Sequence, residues 1–471
     1  MADRLNVDTK PVPGGESSGY TIDLENLSKR LKEFYNHWSK HKSDLWGLSD
    51  AIAIASPPTS EHFQYRISSA FNFWLLGYEF SETIMVFMDK QIHFLCSQKK
   101  ANLLETLKGS AKEAVGTDLV IHVTAKSDDG SALMEEIIHL VRAQTESDSP
   151  VVGYIAKEVP EGKLLETWFE KLAESALEIG DVTNGLSDLF AVKDVTELTC
   201  VKKAAFLSSC VMKNFVVPKL EKIIDEEKRI SHSELMDDAE KAILVPTKVK
   251  VKLKAEDVGL CYPPILQSGG KFDLRPCALS NDDDLYYGPT SVIICAIGSR
   301  YKSYCSNIAR TFLIDATPAQ IKAYDVLLKA HDSAIAALKP GRNVSEAYQA
   351  AVAVVENESP ELLPNLTTSA GAGIGLEFCE SWLALNANND RTIKTGMVFN
   401  VSLGFQNLRA ETNNEKTEKF SLLLADTVIV TEELPAVSTA ICSKAIKVVA
   451  FSSDKKEEEE HPRPRSEANR T

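Results

Sequence analysis

The sequence predicts an α/β amino-terminal lobe followed by an α+β domain. Three observations carry this prediction: an alternation of short apolar strands with helical segments in the first part of the chain, a long helical pattern after it, and antiparallel strand pairs in the last part. The expected segments are a disordered leader at 1–20, the α/β lobe at 21–182, the α+β domain at 183–449 and a disordered, charged tail at 450–471.

Composition and charge narrow the class of protein. The chain has 471 residues, 44% of them apolar, and no stretch approaches the roughly 18 apolar residues that a membrane span needs. Nine scattered cysteines without framework spacing indicate reduced, packed thiols, which favours the cytosol or the nucleus. The net charge of −15 opposes binding to phosphate backbones and favours cationic partners, although solubility alone also explains a charge of this size.

The lobe is predicted from the order of its elements. An amphipathic helical stretch, LSKRLKEFYNHW, precedes the strand-like SDAIAIAS and the hairpin-like TIMVFMDKQIHFLCS. The same rhythm continues through DLVIHVTAK, ALMEEIIHLVRA, PVVGYIAK and GKLLETWFEKLAESAL. Short apolar strands separated by helical segments are typical of one doubly layered α/β domain.

The second domain begins with a helical pattern that extends from Val195 to about Ile230. Pro218 lies inside this pattern, where its missing amide hydrogen and its ring disfavour a continuous helix. We therefore expect the helix to bend near Val217.

The rest of this domain reads as a strand hairpin, two helices and closing strands. In SVIICAIGSRYKSYCSNIARTFLID, two apolar runs flank a short polar turn, which predicts the hairpin. Thr317 caps the first helix with Pro318 at its first position, and Asn343 starts the second helix with Glu346 in a capping box. The closing strands are expected in GLEF, GMVFNVSLGF and FSLLLADTVIV.

This order of elements, with Arg310-Thr311 ending the hairpin motif, resembles the pita-bread superfamily of methionine aminopeptidase, prolidase and creatinase. The lobe is similar to that of the creatinase and prolidase branch. In active members two Asp, one His and two Glu bridge two divalent metals. The resemblance assigns these ligand positions to Ala296, Asn307, Ala372, Ser402 and Ala425. It therefore implies that every metal ligand is replaced, with no cofactor and no catalytic residue.

The other titratable residues of this region do not restore such a site. His331 is the only histidine between residues 233 and 449, and it lies in a predicted helix. The family's further histidine falls on Cys379. We interpret the neighbouring carboxylates as structural or solvated: Glu377, Glu380 and Asp426. The alternative function, a metal-dependent aminopeptidase or prolidase, would need a preserved ligand set.

Two further patterns are weak indications of a site. His37 and His41 share a helix face, but they lack the intervening Glu of H-E-x-x-H and a third ligand, so we expect surface histidines. The glycines of Gly371–Gly375 lack the G-x-G-x-x-G spacing, which favours a backbone requirement over a nucleotide loop.

Several segments narrow the resemblance: Trp74 to Glu79 (WLLGYE), Thr83 to Phe87 (TIMVF), Cys261 to Gly270 (CYPPILQSGG), Lys302 to Thr311 (KSYCSNIART), Gly373 to Phe378 (GIGLEF) and the acidic start at 455–460. They are similar to the amino-terminal, aminopeptidase-like region of the large subunit of the FACT histone chaperone. The resemblance implies a non-catalytic, histone-binding protein of nuclear chromatin that reorganises nucleosomes during transcription, replication and repair.

The resemblance also implies partners and missing regions. Histones and nucleosomes are the expected partners, together with an HMG-box subunit that binds regions absent from this sequence. In this family a dimerisation domain, a middle domain and an acidic tail follow, so we expect a truncated product or a partial gene model.

Two surface segments are candidates for contacts with partners. The first segment offers three carboxylates and two aromatic rings to a basic histone surface: Asp282, Asp283, Asp284, Tyr286 and Tyr287. The alternative is that this segment is a solvated turn. The lysine-rich KVKVKLK at Lys248–Lys254 is the one candidate for DNA contact. Alternating charge on a strand is usually a solvated face, so we expect little direct DNA binding.

Overall fold

The computed structural model describes residues 22–59, 66–125, 128–144, 149–276, 278 and 283–451. The predicted leader, nearly all of the predicted tail and Asp282 lie outside these residues. The chain divides into two compact units between Val182 and Thr183, with residues 65–67 grouped with the second unit.

The first unit alternates helices and strands as predicted. Its elements are α1 (Leu24–Lys40), β1 (Ala51–Ser56), α2 (Ile67–Leu76), β2 (Thr83–Phe87), β3 (Gln91–Ser97), α3 (Gln98–Leu104), α4 (Lys108–Val115), β4 (Asp118–Thr124), α5 (Ser131–Gln144), β5 (Val151–Tyr154), α6 (Lys163–Glu174) and β6 (Glu178–Asp181). The strands form one mixed sheet in the order β4-β3-β2-β1-β5-β6, in which β2 and β3 are the predicted hairpin. Ile137 of α5 and Trp168 of α6 pack with β1 and β2 in its core.

The second unit is the predicted α+β domain. Its elements are α7 (Thr183–Ala191), α8 (Val195–Val211), α9 (Val217–Asp225), α10 (His232–Leu244), β7 (Val258–Leu260), β8 (Ile265–Gln267), β9 (Val292–Ile297), β10 (Ser299–Tyr301), β11 (Tyr304–Cys305), β12 (Ile308–Ile314), α11 (Pro318–Ala337), α12 (Ser345–Glu358), β13 (Gly371–Gly373), β14 (Val398–Arg409), α13 (Glu415–Glu418), β15 (Lys419–Ile429), β16 (Ala436–Val437), α14 (Ile446–Val449) and β17 (Ala450–Phe451). The main sheet has the order β13-β14-β15-β12-β9-β8, and β11-β10-β7 forms a smaller sheet.

The α-helical pattern is interrupted just before Pro218. A π-helical turn at Met212–Val216 separates α8 from α9, and Pro218 is the second residue of α9. The backbone stays helical across this turn, with the Val217 amide donating to the Met212 carbonyl. A π-turn beside a proline is a common cause of a kink in a helix. The helical pattern ends at Asp225, short of the expected Ile230, because the chain leaves the helix through Glu227, whose φ is 50°.

Helix α11 is also confirmed, with Thr317 and Gln320 forming a capping box. Helix α12 begins at Ser345, two residues after the predicted start, although Glu346 still accepts a hydrogen bond from the Asn343 amide at 3.0 Å. The predicted strand GLEF is wrong: the strand is Gly371–Gly373, and the chain bends from Gly375. Gly375 lies so close to Lys193 and Glu380 that a Cβ there would meet both side chains within 2.6 Å.

Candidate functional site

The main sheet brings the five predicted ligand positions to one of its faces, here called the site face. Ala296 and Ala425 each lie opposite Ala309 on a neighbouring strand, and Ser402 lies opposite Ala425. Residues directly opposite each other in a ladder point to the same side of a sheet, as do residues two apart on one strand. Asn400 lies two residues before Ser402 and therefore points to the same side of the sheet. Ala372 lies opposite Asn400, so Ala372 is on the site face as well.

Asn307, the remaining position, reaches this face through hydrogen bonds. Its Nδ2 donates to Asn400 Oδ1 at 3.1 Å, and the Tyr262 hydroxyl donates to its Oδ1 at 2.5 Å. Its backbone amide donates to Thr427 Oγ1 at 2.8 Å, and that hydroxyl donates to the Asn307 carbonyl at 2.9 Å. The side-chain amide of Asn307 therefore both donates and accepts, and its partners, Asn400 and Tyr262, are neutral.

The rest of the site face is apolar and closely packed. Ala296, Ala309 and Ala425 belong to one buried cluster with Tyr262 and Phe378, whose rings are 5.0 Å apart. Ala372 is buried and Ser402 is half-buried. A pair of divalent cations needs several anionic or imidazole ligands to offset its desolvation, and none of the five positions provides one. Within the described residues, no group of three or more His, Cys, Asp or Glu side chains is arranged to hold a metal ion.

The carboxylates near these positions have partners in the chain. Asp426, which is 1% exposed, accepts hydrogen bonds from Arg310 at 2.8 Å, Thr439 at 2.6 Å and Lys444 at 3.2 Å. Burial raises the pKa of Asp426, but the Arg310 and Lys444 charges outweigh burial and hold that pKa below its usual range. Asp426 lies between Ala425 and Thr427 on β15, so it points to the face opposite the site face.

Glu380 is likewise buried and paired. Both of its carboxylate oxygens accept from Lys193 Nζ at 2.7 Å, across 187 residues of sequence. Burial raises the pKa of Glu380, and Lys193 opposes that rise. The expectation that these carboxylates are structural or solvated is therefore confirmed in its structural form for Asp426 and Glu380. Glu377 is half-buried and Cys379 is exposed.

His331 lies on the face opposite the site face. Its Nε2 is 3.0 Å from the Val401 carbonyl oxygen, which assigns the ring hydrogen to Nε2, and Nδ1 accepts from Lys444 at 2.8 Å. Burial and the Lys444 charge lower the pKa of His331 to about 4. This histidine is therefore a neutral, buried part of the ion cluster around Asp426.

The described part of the predicted acidic and aromatic segment is paired within the chain. Asp283 contacts Lys271 at 2.9 Å and Asp284 contacts Arg229 at 2.6 Å, with both carboxylates exposed. The Tyr286 hydroxyl accepts from Asn414 at 2.6 Å, and Lys416 lies 4.9 Å from the centre of its ring. The Tyr287 hydroxyl donates to the Lys228 carbonyl at 3.0 Å. Both tyrosines are half-buried.

The two minor patterns are also located. Lys248–Lys254 is not a strand: Pro246–Val249 is a 3₁₀ turn followed by an irregular segment, because Lys250 has a φ of 61°. Val249 and Val251 are buried, whereas the four lysines of this segment, Lys248, Lys250, Lys252 and Lys254, are exposed. His37 accepts from the Trp46 indole at 3.0 Å and His41 contacts Asp44 at 3.1 Å, so both rings serve local structure.

Comparisons with known proteins place this geometry in a family. A family model described as FACT complex subunit SPT16 N-terminal lobe domain matches residues 22–185, and one for Metallopeptidase family M24 matches residues 199–432. The solved N-terminal domain of FACT complex subunit SPT16 from Cicer arietinum is 59% identical, with a TM-score of 0.89, over 92% of this chain and 100% of that chain. The chain belongs to the SPT16 family.

Other SPT16 proteins agree with this placement. FACT complex subunit SPT16 of Zea mays is 67% identical over 93% of this chain, and the SPT16 N-terminal domain of Eremothecium gossypii is 29% identical with a TM-score of 0.81, covering 92% of this chain and 100% of that chain. The chain spans only 42% of the length of the maize relative. A prolidase from Thermococcus sibiricus, 17% identical with a TM-score of 0.65 over 92% of this chain and 100% of that chain, has the same fold. The predicted combination of an α/β lobe and a pita-bread domain is confirmed.

Sequence reasoning missed three residues that define the SPT16 site face and its surroundings. Asn400 lies two residues before Ser402 on the same strand, so the strand period alone places it on the same face. Tyr262 and Lys193 carry no such signal, because they meet Asn307 and Glu380 across 45 and 187 residues.

Among the helices that the structure describes, none is long and apolar enough to cross a membrane.

Proposed function

We propose that this SPT16-type chain is a non-catalytic, histone-binding component of the FACT chromatin complex. It acts in the nucleus, where the complex reorganises nucleosomes during transcription, replication and repair. The support is its similarity to relatives named FACT complex subunit SPT16, at up to 67% identity among those compared. Because the chain spans 42–44% of those relatives, the HMG-box subunit binds regions outside this sequence in this proposal.

One observation carries the non-catalytic part of the proposal. The side chains at the five positions are methyl groups, a hydroxymethyl group and an amide, and the amide of Asn307 is already bonded to Tyr262 and Asn400. A metallopeptidase centre generates its nucleophile by lowering the pKa of a metal-bound water, which requires anionic ligands to retain the metal. Neutral side chains on this face do not supply that charge. The M24 match therefore supports the fold and not the activity.

Histone binding is assigned to the acidic surface, with Asp283 and Asp284 as its described members. Asp283 contacts the exposed Lys271 and Asp284 contacts the exposed Arg229 of the same chain. Exposed ion pairs contribute only about 0–1 kcal/mol each, so a lysine or arginine of a histone can displace them at small cost. Tyr286 and Tyr287 lie beside these carboxylates and add ring surface for cation–π contact.

Binding of histone pairs tests this assignment directly. Fluorescence anisotropy with labelled H3–H4 and H2A–H2B would be measured at several salt concentrations for the intact chain and for Asp282→Ser/Asp283→Ser/Asp284→Ser. We expect the variant to bind more weakly and with a flatter salt dependence, because it presents fewer charges to the histone. The matched control is Glu113→Ser/Glu166→Ser/Glu170→Ser, which removes three exposed carboxylates from the first unit.

The outcomes separate the segment from the function. Equal affinity in both variants and the intact chain would reject the segment as the contact. No binding of either histone pair by the intact chain at low salt would reject histone binding by this chain.

A further inference from the structure

A basic surface with an exposed aromatic side chain lies on the second unit of this acidic chain, away from the acidic segment discussed above. Phe206 of α8 is 48% exposed. Lys202 and Lys203 precede it by four and three residues and therefore share its helix face. All three side chains point to solvent.

Two neighbouring segments bring more lysines to the same place. Leu253 packs against Cys200, Ala204 and Tyr301, so the irregular segment after Val251 runs beside α8. Lys252 and Lys254 flank Leu253 and are both exposed.

The turn between β10 and β11 closes the surface on that side of α8. Lys203 Nζ lies 3.4 Å from the Tyr301 hydroxyl and 4.7 Å from the centre of its ring, and Lys302 follows in this turn. Burial raises the pKa of the Cys200 thiol. The Lys302 and Lys203 charges oppose that rise and the Glu197 and Asp194 charges add to it, so both lysines lie near this thiol. The lysine–phenylalanine face is therefore Lys202, Lys203, Phe206, Lys252, Lys254 and Lys302.

Most of these lysines, unlike many others of the chain, form no ion pair with a residue that the structure describes. Within the described residues, Lys202, Lys203, Lys252 and Lys302 form no ion pair, and only Lys254 contacts a carboxylate, that of Glu256 at 3.3 Å. Asp257 lies nearby, but its Oδ2 accepts from the Tyr301 hydroxyl at 3.2 Å. A concentration of unpaired positive charge stands out on a chain of net charge −15.

We propose that the lysine–phenylalanine face binds an acidic segment of another polypeptide chain that carries an aromatic side chain. The lysines select the acidic residues, and Phe206 supplies the apolar contact, in the way that aromatic anchors surrounded by charge dominate many interfaces. Duplex DNA fits less well, because the chain as a whole repels phosphate and an exposed phenylalanine gains little from a phosphate backbone. The chain's own acidic run at 457–460 lacks an aromatic neighbour up to residue 471, so it does not match Phe206.

The test uses the whole chain and four labelled probes in anisotropy titrations. The probes are a short acidic peptide with two phenylalanines, the same peptide with alanines in their place, a basic peptide with the two phenylalanines, and a duplex DNA. We expect the acidic aromatic peptide to bind at least about tenfold more tightly than each of the others.

Two variants dissect the face. Lys202→Glu/Lys203→Glu/Lys252→Glu should weaken peptide binding by about tenfold or more and flatten its salt dependence. Phe206→Ser should weaken binding severalfold and leave the salt dependence unchanged. The matched control, Lys99→Glu/Lys339→Glu/Lys419→Glu, reverses three exposed lysines elsewhere and should bind almost as the intact chain does.

Several results would overturn the proposal. These are preferential binding of the duplex, equal binding of the alanine peptide, or equal weakening by the control variant. Histone binding is measured on the same proteins and should be unchanged or stronger in the lysine variant, so a failure here is distinguishable from a failure of the proposed histone binding.

Discussion

The two faces of the main sheet solve the problem of buried polarity in opposite ways. The site face carries neutral side chains, in which the amides of Asn307 and Asn400 bond to each other and to Tyr262. The opposite face carries a buried ion cluster, in which Asp426 contacts Arg310 and Lys444. Both faces belong to strands β12, β14 and β15, so the difference does not arise from the backbone.

The comparison shows where a folded chain can keep buried charge. On the ion-cluster face, Arg310 and Lys444 supply the counter-charge that Asp426 needs. In an active member of the superfamily, metal ions would be the counter-charge for carboxylates on the site face. Where no cation is available, a buried carboxylate costs more free energy than a buried neutral group of similar size.

The largest expected effect comes from breaking the ion cluster. Arg310→Met leaves Asp426 buried with the Lys444 contact at 3.2 Å but without the Arg310 charge, and should lower the free energy of unfolding by about 3–5 kcal/mol. Urea denaturation followed by circular dichroism measures it. Lys329→Met, which breaks only exposed pairs with Asp325 and Glu358, should cost no more than about 1 kcal/mol. Similar losses in the two variants would contradict the assignment of the buried cluster.

A pH titration of stability should show a smaller effect from the same face. Because the native pKa of His331 is about 4, below its ordinary value, the unfolded chain binds a proton at a higher pH than the folded chain does. Stability should therefore fall as the pH drops from about 6.5 to about 4, by roughly 3 kcal/mol from this residue. His331→Gln should lose this part of the pH dependence. His93, whose pKa burial and His122 also lower to about 4, remains in both proteins and cancels in the difference.

The site face should resist a single carboxylate. Asn307→Asp places an acceptor against Asn400 Oδ1 and a charge among neutral groups, which should cost about 2 kcal/mol at pH 8. The burial should raise the native pKa of the new carboxyl, so the loss should shrink as the pH falls towards 4. Asn388→Asp, at an exposed asparagine of the same unit, is the control. A pH-independent loss would show that packing, and not charge, limits this face.

The smallest expected signal is the absence of metal chemistry. Elemental analysis should find no stoichiometric transition metal in the purified chain, and added cobalt or manganese should support no dipeptide or amino-terminal cleavage. An active prolidase assayed in parallel establishes sensitivity. Turnover that copurifies with the chain and depends on metal would remove the distinction between the two faces.

Local signals made much of the fold predictable from the sequence. The capping box of α11 and the proline near the start of α9 lie within a few residues of the features they determine. The five predicted ligand positions come from the resemblance to the pita-bread superfamily, whose motifs occur in the same order in this sequence. The Asp283 and Asp284 contacts with Lys271 and Arg229 could not be predicted, because they join separate loops. The prediction of a strand at GLEF was wrong for the same reason. The chain bends at Gly375, which packs against the ion pair of Glu380 with the distant Lys193.

The Lys193–Glu380 pair also affects the order of events during synthesis. Lys193 leaves the ribosome 187 residues before Glu380, which at about 5–20 residues per second is roughly 10–40 s. During that interval the lysine has no buried counter-charge, and its amide still lacks the Gly396 carbonyl. The beginning of the second unit therefore cannot reach its native burial until most of that unit has been translated. A nascent chain stalled before residue 380 should remain sensitive to protease in α7 and α8, even though both helices are already complete in sequence.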